Sequence, residues 1–388
     1  MSLASLVAER RILVCVGSGG VGKTTTAASL GLAGARAGRR TLVLTIDPAK
    51  RLANALGLET LGHDQQAVPK EKLLPVIEAI GGAPAKTGTL HAMMLDQKRA
   101  FDEIVARYAS DPAARDRIYK NRIYQQISAR LAGSHEYAAM SKLYEIAQEG
   151  RYDLIVLDTP PTANALDFLD APERVSGAID SPAIQWLTKP YLQAGKFSLK
   201  TVGLGAAFVL RRLARFVGSE FLEDMAKFFV EFNAILGGFR ERAQQVFDIL
   251  RRPDVGFVLV SSADPMSVDE CIYFYDRLMS SKMPLGAFVV NRVHPSGPPE
   301  IGREELIAKL GARPELRGYS ADDVVQVAAD LDRTYREFQA LAEIDKREVG
   351  RLATRTGNQA PIVQVPFFDR DIYDVEGLSA MVRYLLEE

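Results

Sequence analysis

Short apolar runs along the chain predict a buried β-sheet. Residues 12–16, ILVCV, form a continuous apolar run rich in β-branched residues, and glycines follow it. Such a run is typical of a strand that is buried on both faces. Five further segments show the same pattern, at residues 41–47, 153–158, 255–261, 285–291 and 361–366. We therefore predict at least six core strands.

The segment that follows the first strand predicts how the strands are connected. After a glycine-rich loop, KTTTAASLGLAGARAGRR carries the alanines and leucines of a helix, which we expect to end near Gly38. A strand, a loop, a helix and a second strand then follow within about forty residues, which is a βαβ unit. This unit predicts a parallel sheet with an α/β fold.

Helical periodicity dominates two long stretches between the predicted strands. Residues 52–150 and 162–253 repeat apolar positions at spacings of three and four. We therefore predict one domain over residues 1–388, with a helical insertion subdomain built from residues 60–150 and 165–250.

A third stretch, residues 295–350, predicts a peripheral helical excursion. It begins with proline- and glycine-rich residues that are typical of an exposed segment. Residues 320–349 then have the pattern of one amphipathic helix.

The loop after the first strand, GSGGVGKT, predicts a phosphate site. It fits G-x-x-x-x-G-K-[ST] at Gly17, Gly22, Lys23 and Thr24, between a predicted strand and a predicted helix. Glycines let successive backbone N–H groups converge on phosphate oxygens, and the helix N-terminus adds partial positive charge. Lys23 would reach the β- and γ-phosphates, and the Thr24 hydroxyl would bind Mg²⁺.

Two acidic residues end predicted strands. Asp47 closes TLVLTID and Asp158 closes DLIVLD, and each leads into proline within three residues. The carboxyl ends of parallel strands meet at one edge of a sheet, so both acids should lie beside the phosphate loop. Either acid could hold Mg²⁺ through water or orient an attacking water.

The charge balance, the cysteine count and the N-terminal residues limit the partners, the metal sites and the cellular location that we expect. Lysine plus arginine (48) nearly balances aspartate plus glutamate (49), for a net charge of −1, so no nucleic-acid partner is expected. Two cysteines make neither a disulfide framework nor a CxxC zinc site. MSLASLVAERR does not have the charge order of a signal peptide. We expect a cytoplasmic protein.

Longer motifs resemble one family across nearly the whole chain. SGGVGKTTTA, TIDPAKRLANALG, DLIVLDTPPTANALDFLDAP, VVNRVHP and VPFFDRDIYDVEGL occur in this order. Together they resemble the ArsA/GET family of P-loop ATPases, within the deviant Walker A group, and most of all its bacterial anion-transporting ATPase branch. The resemblance implies a P-loop NTPase fold, with a mostly parallel sheet flanked by helices and an inserted helical subdomain.

The resemblance also implies roles for individual residues. The phosphate loop would comprise Gly19, Gly20, Val21, Gly22, Lys23, Thr24 and Thr25. Lys23 and Asp47 would be catalytic, and Asp47 would position the attacking water. Thr24, Asp47 and Asp158 would form the Mg²⁺ site, with Asp158 acting through water. Asn291 and Pro366 would lie on the adenine side of bound ATP or ADP.

Ser18 departs from the deviant Walker A pattern, which has a lysine at this position. In the family that lysine reaches the partner's nucleotide across a dimer, and a serine cannot supply a cation there. Three consequences stay open. Hydrolysis is slow, or Lys50 or Arg51 substitutes for the missing cation, or the chain pairs with a paralogue that retains the lysine.

The switch II motif, which Asp158 opens and which reads DTPPTANA here, and the cysteines also depart from the family. Ala163 and Asn164 stand where the family often has glycine and histidine, which weakens the argument that switch II transmits a signal. Cys15 and Cys271 are not placed like the thiolates that bind arsenite, and we expect both to be buried structural residues. Arsenite activation is therefore not expected.

The most apolar helical region is FSLKTVGLGAAFVLRRLARFVGSEFLEDMAKFFVEFNAIL. It could line a groove for a membrane-protein client, or it could form the core and dimer face of the helical lobe. The residues that would line such a groove are Phe208, Leu210, Leu213 and Phe216.

We interpret the chain as a Mg²⁺-dependent ATPase that couples a nucleotide-driven dimer cycle to a membrane-related task. That task would be transport coupling or membrane-protein targeting, and the dimer would be a homodimer or a heterodimer with a paralogue. The alternative is a slow or inactive nucleotide-binding regulatory subunit. A small-molecule phosphoryl transferase fits a P-loop, but the DPA and DTPPT motifs argue against it.

Overall fold

The structure is a computed structural model that describes residues 2–47, 51–127, 134–159, 212, 215, 218–298 and 300–386. Within these ranges the strands are β1 (Ile12–Val16), β2 (Arg40–Thr45), β3 (Gln66–Ala67), β4 (Thr89–Met94), β5 (Leu154–Asp158), β6 (Val255–Ser262), β7 (Leu285–Val293) and β8 (Ile362–Pro366). They form one sheet in the order β3-β4-β2-β5-β1-β6-β7-β8. All pairs are parallel except β3 with β4. The six predicted strands and the α/β fold class are confirmed.

Strand β4 was not predicted from the sequence. TLHAMM lies inside the stretch 52–150 that was predicted to be mostly helical, yet it pairs with β2 over six residues, from Arg40↔Thr89 to Thr45↔Met94. Alanine and methionine favour helices, so local propensity pointed away from a strand. Burial of Leu90, Ala92 and Met93 against neighbouring elements stabilises it.

Helices flank the sheet on both faces. In the described ranges they are α1 (Leu3–Glu9), α2 (Lys23–Arg36), α3 (Arg51–Ala55), α4 (Lys70–Ala79), α5 (Gln97–Tyr108), α6 (Pro112–Lys120), α7 (Arg122–Ile127), α8 (Ser134–Glu149), α9 (Ser219–Leu250), α10 (Pro265–Ser280), α11 (Arg303–Gly311), α12 (Ala321–Thr356) and α13 (Val375–Leu386). The division into a core domain, a helical subdomain and a peripheral excursion stays a prediction.

Helix α12 confirms the amphipathic helix predicted at residues 320–349 and extends beyond it. Ser320 and Asp323 form a capping box at its start, in which each side chain binds the other residue's backbone N–H. The helix ends at Gly357, whose φ of 60° is left-handed. It therefore runs to Thr356, seven residues past the predicted end.

Two apolar cores lie on opposite faces of the sheet because strand side chains alternate. On β1, Ile12, Val14 and Val16 join one core, whereas Leu13 and Cys15 join the other. Both faces of β1 are fully buried, as the continuous apolar run predicted. This arrangement fixes the end of β1, and with it the start of the phosphate loop.

Strand register brings the predicted functional residues together. Cys15 of β1 and Thr45 of β2 are both aligned with Asp158 of β5. The loop that leaves β1 therefore begins next to the end of β5 at Asp158, and the end of β2 at Thr45 lies one strand further along the sheet. These three strands make one edge of the sheet polar.

Candidate nucleotide site

The phosphate loop joins β1 to α2 and depends on glycine at two positions. Gly17 passes so close to β6 that a Cβ atom would lie 2.0 Å from the Val260 carbonyl oxygen. Gly22 has a left-handed φ of 95°, and a Cβ atom there would lie 2.3 Å from the Asn291 side chain. Glycine alone fits both positions without displacing the loop.

The Lys23 side chain binds back to the phosphate loop. It is buried, and Nζ donates a hydrogen bond to the Ser18 carbonyl oxygen at 2.6 Å. Burial lowers the pKa of Lys23, while the nearby carboxylates Asp158 and Asp47 act in the opposite direction. A buried ammonium with one carbonyl partner is suited to bind an incoming phosphate oxygen.

Asp158 is the central acid of the site. Its Oδ2 accepts hydrogen bonds from the Thr24 and Thr45 hydroxyls, each at 2.8 Å. Its other oxygen, Oδ1, is buried and has no hydrogen-bond partner among the described residues. Burial raises the pKa of Asp158 to about 6, although the two threonines and Lys23 lower it.

This set of oxygens fits Mg²⁺. The ion prefers carboxylate and hydroxyl oxygen atoms, with water completing its coordination. Thr24 supplies a hydroxyl, and Asp158 supplies a carboxylate whose second oxygen is unpartnered among the described residues. A divalent cation nearby would favour the ionised carboxylate that burial disfavours.

Asp47 follows β2 and lies in the wall of the cavity beside the loop. Its backbone N–H donates to Thr45 Oγ1 at 3.2 Å. Thr45 thus connects the backbone of Asp47 to the carboxylate of Asp158. The proline after Asp47 and Lys50 lie outside the described residues, whereas Arg51 lines the cavity at the start of α3.

The cavity has a volume of about 490 Å³, within the usual range for small-molecule sites. Of the predicted residues, it is lined by Gly20, Gly22, Lys23, Thr24, Thr25, Asp47 and Asn291. Gly19, Val21, Asp158 and Pro366 are not part of its described wall, and Asp158 is fully buried behind Thr24. Val21 is buried in the core below the loop, and Pro366 ends β8 directly before the lining residue Phe367.

Asn291 binds the phosphate loop itself. Its Nδ2 donates to the Val21 carbonyl oxygen at 3.0 Å, and its Oδ1 accepts from the Arg292 N–H at 3.0 Å. The side chain is largely buried. In this structure Asn291 therefore supports the backbone of the loop, and its expected role beside adenine stays a prediction.

Several lining residues were not predicted from the sequence, among them Arg292, Phe367 and Arg370. Arg292 has a left-handed φ of 58°, and the register between β7 and β8 shifts between Val290 and Val293. The shift is a tertiary feature with no local sequence pattern. Arg292 lies in the motif VVNRVHP, and Phe367 and Arg370 lie in VPFFDRDIYDVEGL, but neither motif marks these residues as lining a cavity.

Features outside the cavity bear on the remaining predictions. Cys15 and Cys271 are both buried, as predicted. Ala163, Asn164 and the four groove residues Phe208, Leu210, Leu213 and Phe216 lie outside the described residues. In the part of the chain that the structure describes, no helix is both long and apolar enough to cross a membrane.

Comparison with known proteins gives an independent result. The family described as "Anion-transporting ATPase" matches residues 10–306. The chain is 24% identical to ATPase GET3C of Arabidopsis thaliana over 326 residues, which cover 79% of this chain and 74% of that protein. It is 24% identical over 301 residues to a protein of Aquifex aeolicus named as an arsenical pump-driving ATPase, covering 74% of this chain and 64% of that protein.

A third relative has a higher sequence identity to this chain, but over a shorter segment. A protein of Halobacterium salinarum, also named as an arsenical pump-driving ATPase, is 31% identical over 185 residues, or 45% of this chain. The chain spans only 26% of the length of that relative.

Proposed function

The chain belongs to the anion-transporting ATPase family, and on that premise we propose that it binds ATP with Mg²⁺ and hydrolyses it. The observation that supports this most is the arrangement of Lys23 and Thr24 in the wall of a cavity, with the buried carboxylate of Asp158 hydrogen-bonded to the Thr24 hydroxyl. A phosphate loop, a hydroxyl and a buried carboxylate form the arrangement that phosphoryl transfer requires.

In the proposed reaction, water attacks the γ-phosphorus in line with the bond to the β,γ-bridging oxygen. A new O–P bond forms as that bond breaks, and ADP leaves with the electron pair while the proton from water passes to phosphate. Asp47 orients the water, and Lys23 with the loop amides stabilises negative charge on the phosphate oxygens. When bound, Mg²⁺ would neutralise further charge, held by the Thr24 hydroxyl and, through water, by Asp158.

The absence of a lysine at position 18 favours slow turnover. The Ser18 carbonyl accepts the hydrogen bond from Lys23, and its hydroxyl carries no positive charge. Arg51 lines the cavity and could supply the cation in its place. A second candidate function, a regulatory subunit that binds nucleotide with little turnover, is favoured by the same serine.

We further propose that the protein works in the cytoplasm as a dimer, either with itself or with a paralogue, and serves a membrane-protein client or a transporter. Names of relatives that contain GET3 and arsenical pump support a membrane-related task. Nucleotide-linked dimerisation predicts a larger mass by light scattering with ATP than with ADP. Equal masses at equal protein concentration would contradict the dimer cycle.

Steady-state phosphate release tests the proposed activity. We expect Mg²⁺-dependent release by the wild-type chain and its loss in Lys23→Ala, because the buried ammonium is removed from the phosphate site. Lys309→Ala is the matched control, since Lys309 is an exposed helical residue paired with Glu305. Release that persists in Lys23→Ala would mean that the activity comes from another site or a contaminant.

A further inference from the structure

We propose that Thr45 is a positioning residue that couples the two acids of the site, because its one hydroxyl binds both the Asp158 carboxylate and the backbone of Asp47. This inference rests on the proposed function, since one acid would hold Mg²⁺ through water and the other would orient the attacking water. Thr45 lies outside the phosphate-loop motif and is not among the described residues of the cavity wall.

The Thr45 hydroxyl uses both its proton and its oxygen. Thr45 ends β2, is buried, and is aligned with Asp158 of the neighbouring strand β5, so the two side chains share one face of the sheet. The hydroxyl donates to Asp158 Oδ2 at 2.8 Å, and its oxygen accepts the Asp47 N–H at 3.2 Å. Each of these bonds leads to a different acid.

A role in ending the strand accounts for only one of the two bonds. A threonine oxygen that accepts the N–H two residues further on is a common turn. The bond to Asp158 joins residues 113 positions apart, and such a turn does not require it. Val43 lies on the same face of β2 and joins the apolar core there, so a valine fits this row of side chains. A buried hydroxyl is favourable in this row because both of its bonds are made.

The backbone at Asp158 is fixed by other contacts. Asp158 is aligned with Cys15 of β1 on one side and with Thr45 of β2 on the other. The next residue, Thr159, donates from its hydroxyl to the Cys15 carbonyl oxygen at 2.8 Å. Since the sheet holds the main chain, the remaining freedom of Asp158 is the rotation of its carboxylate.

Two hydroxyls set this rotation. Thr24 at the start of α2 and Thr45 at the end of β2 both donate to Oδ2, each at 2.8 Å. Oδ1 is therefore the oxygen without a hydrogen-bond partner among the described residues, and it remains available to a water bound to Mg²⁺. Of the two donors, Thr24 is also the expected ligand of the ion, whereas Thr45 acts only on the carboxylate.

The second bond of the Thr45 hydroxyl holds the residue that would orient the attacking water. Ile46 packs into the core on the opposite face of the sheet from Val43, so the chain is held on both faces just before Asp47. The hydrogen bond from the Asp47 N–H to Thr45 extends this order by one residue. A shift of the Asp158 carboxylate would therefore reach Asp47 through a single oxygen atom.

The experiment replaces Thr45 by valine, which has the same shape but no hydroxyl. The measured quantities are ATP affinity with and without Mg²⁺ and steady-state phosphate release. We expect Thr45→Val to bind Mg²⁺-free ATP as wild type does, because Lys23 and the loop amides are unchanged. The gain in ATP affinity that Mg²⁺ provides should fall about tenfold, and turnover at saturating MgATP should fall about 10–100-fold. Thr45→Ser keeps the hydroxyl and should restore both.

Hydrogen exchange of the Asp47 amide gives a readout that does not depend on turnover. We expect this amide to be protected in wild type and in Thr45→Ser, and to lose that protection in Thr45→Val. Thr41→Val is the matched control, because it makes the same substitution at a buried position on the same face of β2. It should change none of these quantities. If thermal unfolding shows that Thr45→Val is not folded, Thr45→Ala removes the same hydroxyl and takes its place.

The outcomes separate this inference from the proposed function. If wild-type protein does not bind ATP, the proposed function is wrong and this inference falls with it. If wild type binds MgATP and Thr45→Val keeps the full gain from Mg²⁺ and the full turnover, the role of Thr45 is overturned while the proposed function stands. Equal losses in Thr45→Val and Thr41→Val, or in Thr45→Val and Thr45→Ser, would also overturn it. If wild type binds MgATP without releasing phosphate, the gain from Mg²⁺ and the exchange of the Asp47 amide decide.

Discussion

At the scale of single residues, the site contains two buried charged side chains, Asp158 and Lys23, whose hydrogen bonds only partly offset the cost of burying their charge. Asp158 is fully buried, and its Oδ1 has no hydrogen-bond partner among the described residues. Lys23 is buried with a carbonyl oxygen as its hydrogen-bond acceptor. Leaving charged groups incompletely paired is unfavourable in a protein interior. A ligand with both phosphate and Mg²⁺ would satisfy both residues.

Replacing Asp158 tests its part in holding Mg²⁺. We expect Asp158→Asn to weaken Mg²⁺-dependent nucleotide binding about 10–100-fold, as is typical when a carboxylate near a metal is lost. The unliganded variant should unfold at no lower temperature than wild type, because a buried charge is removed. The measurement is ATP titration with and without Mg²⁺, together with thermal unfolding.

Asp153 provides the matched control, just before the same strand at the opposite edge of the sheet. Hydrogen bonds from Arg40 lower the pKa of Asp153 to about 2. Asp153→Asn should therefore lower stability at neutral pH and leave Mg²⁺-dependent binding intact. Equal loss of binding in the two variants would contradict a specific role for Asp158.

His63 predicts how stability depends on pH. Burial lowers the pKa of His63 from its usual value of 6.5, and its Nδ1 accepts the Asp96 N–H at 3.2 Å. Below pH 6.5 the unfolded chain therefore takes up a proton before the folded chain does, and stability falls. We expect His63→Gln to lose less stability than wild type between pH 7.5 and 5.5, as measured by urea unfolding. If wild type and His63→Gln lose the same amount of unfolding free energy between pH 7.5 and pH 5.5, this prediction is wrong.

At the scale of secondary-structure elements, strong hydrophobic patterns predicted the strands and helices correctly, whereas the intrinsic helix or strand propensity of single residues did not. The apolar runs of β1 and β5 and the amphipathic pattern of α12 specify buried faces, so the sequence alone indicated them. Strand β4 has a helix-favouring composition and depends on pairing with β2, which no local pattern records. The left-handed Gly38 was correctly predicted to lie at the end of α2, which stops at Arg36, whereas the end of α12 before Gly357 was missed by seven residues.

Two glycines, one in the phosphate loop directly before α2 and one inside α12, should respond to replacement by alanine in opposite ways. Gly22 needs φ 95° and contacts Asn291, so Gly22→Ala should displace the loop and cost about 1–3 kcal/mol of stability. It should also weaken ATP binding. Gly350 lies inside α12 with open space around it, so Gly350→Ala should stabilise by roughly 0.5–1 kcal/mol.

Urea unfolding of both alanine variants is the measurement. Gly350→Ala also serves as the control for ATP binding, which it should not change. A neutral effect of Gly22→Ala on both stability and binding would show that the loop tolerates a side chain.

At the scale of the whole molecule, the phosphate loop could be predicted residue by residue, whereas around Phe367 the sequence indicated only the neighbouring Pro366. Lys23, Thr24 and Asp158 are marked by motifs and by their places at strand ends. Phe367, His294 and Asp345 are brought together only by the packing of α12 and the register of β7 and β8. Such contacts join residues about fifty or more positions apart, and no short motif records them.

Calorimetric titration of the folded chain with ATP, in the presence and absence of Mg²⁺, decides whether the cavity is a nucleotide site. We expect saturable binding of one ATP per chain that is strengthened by Mg²⁺ and lost in Lys23→Ala. Absence of binding by folded wild-type protein, or equal binding by Lys23→Ala, would contradict it.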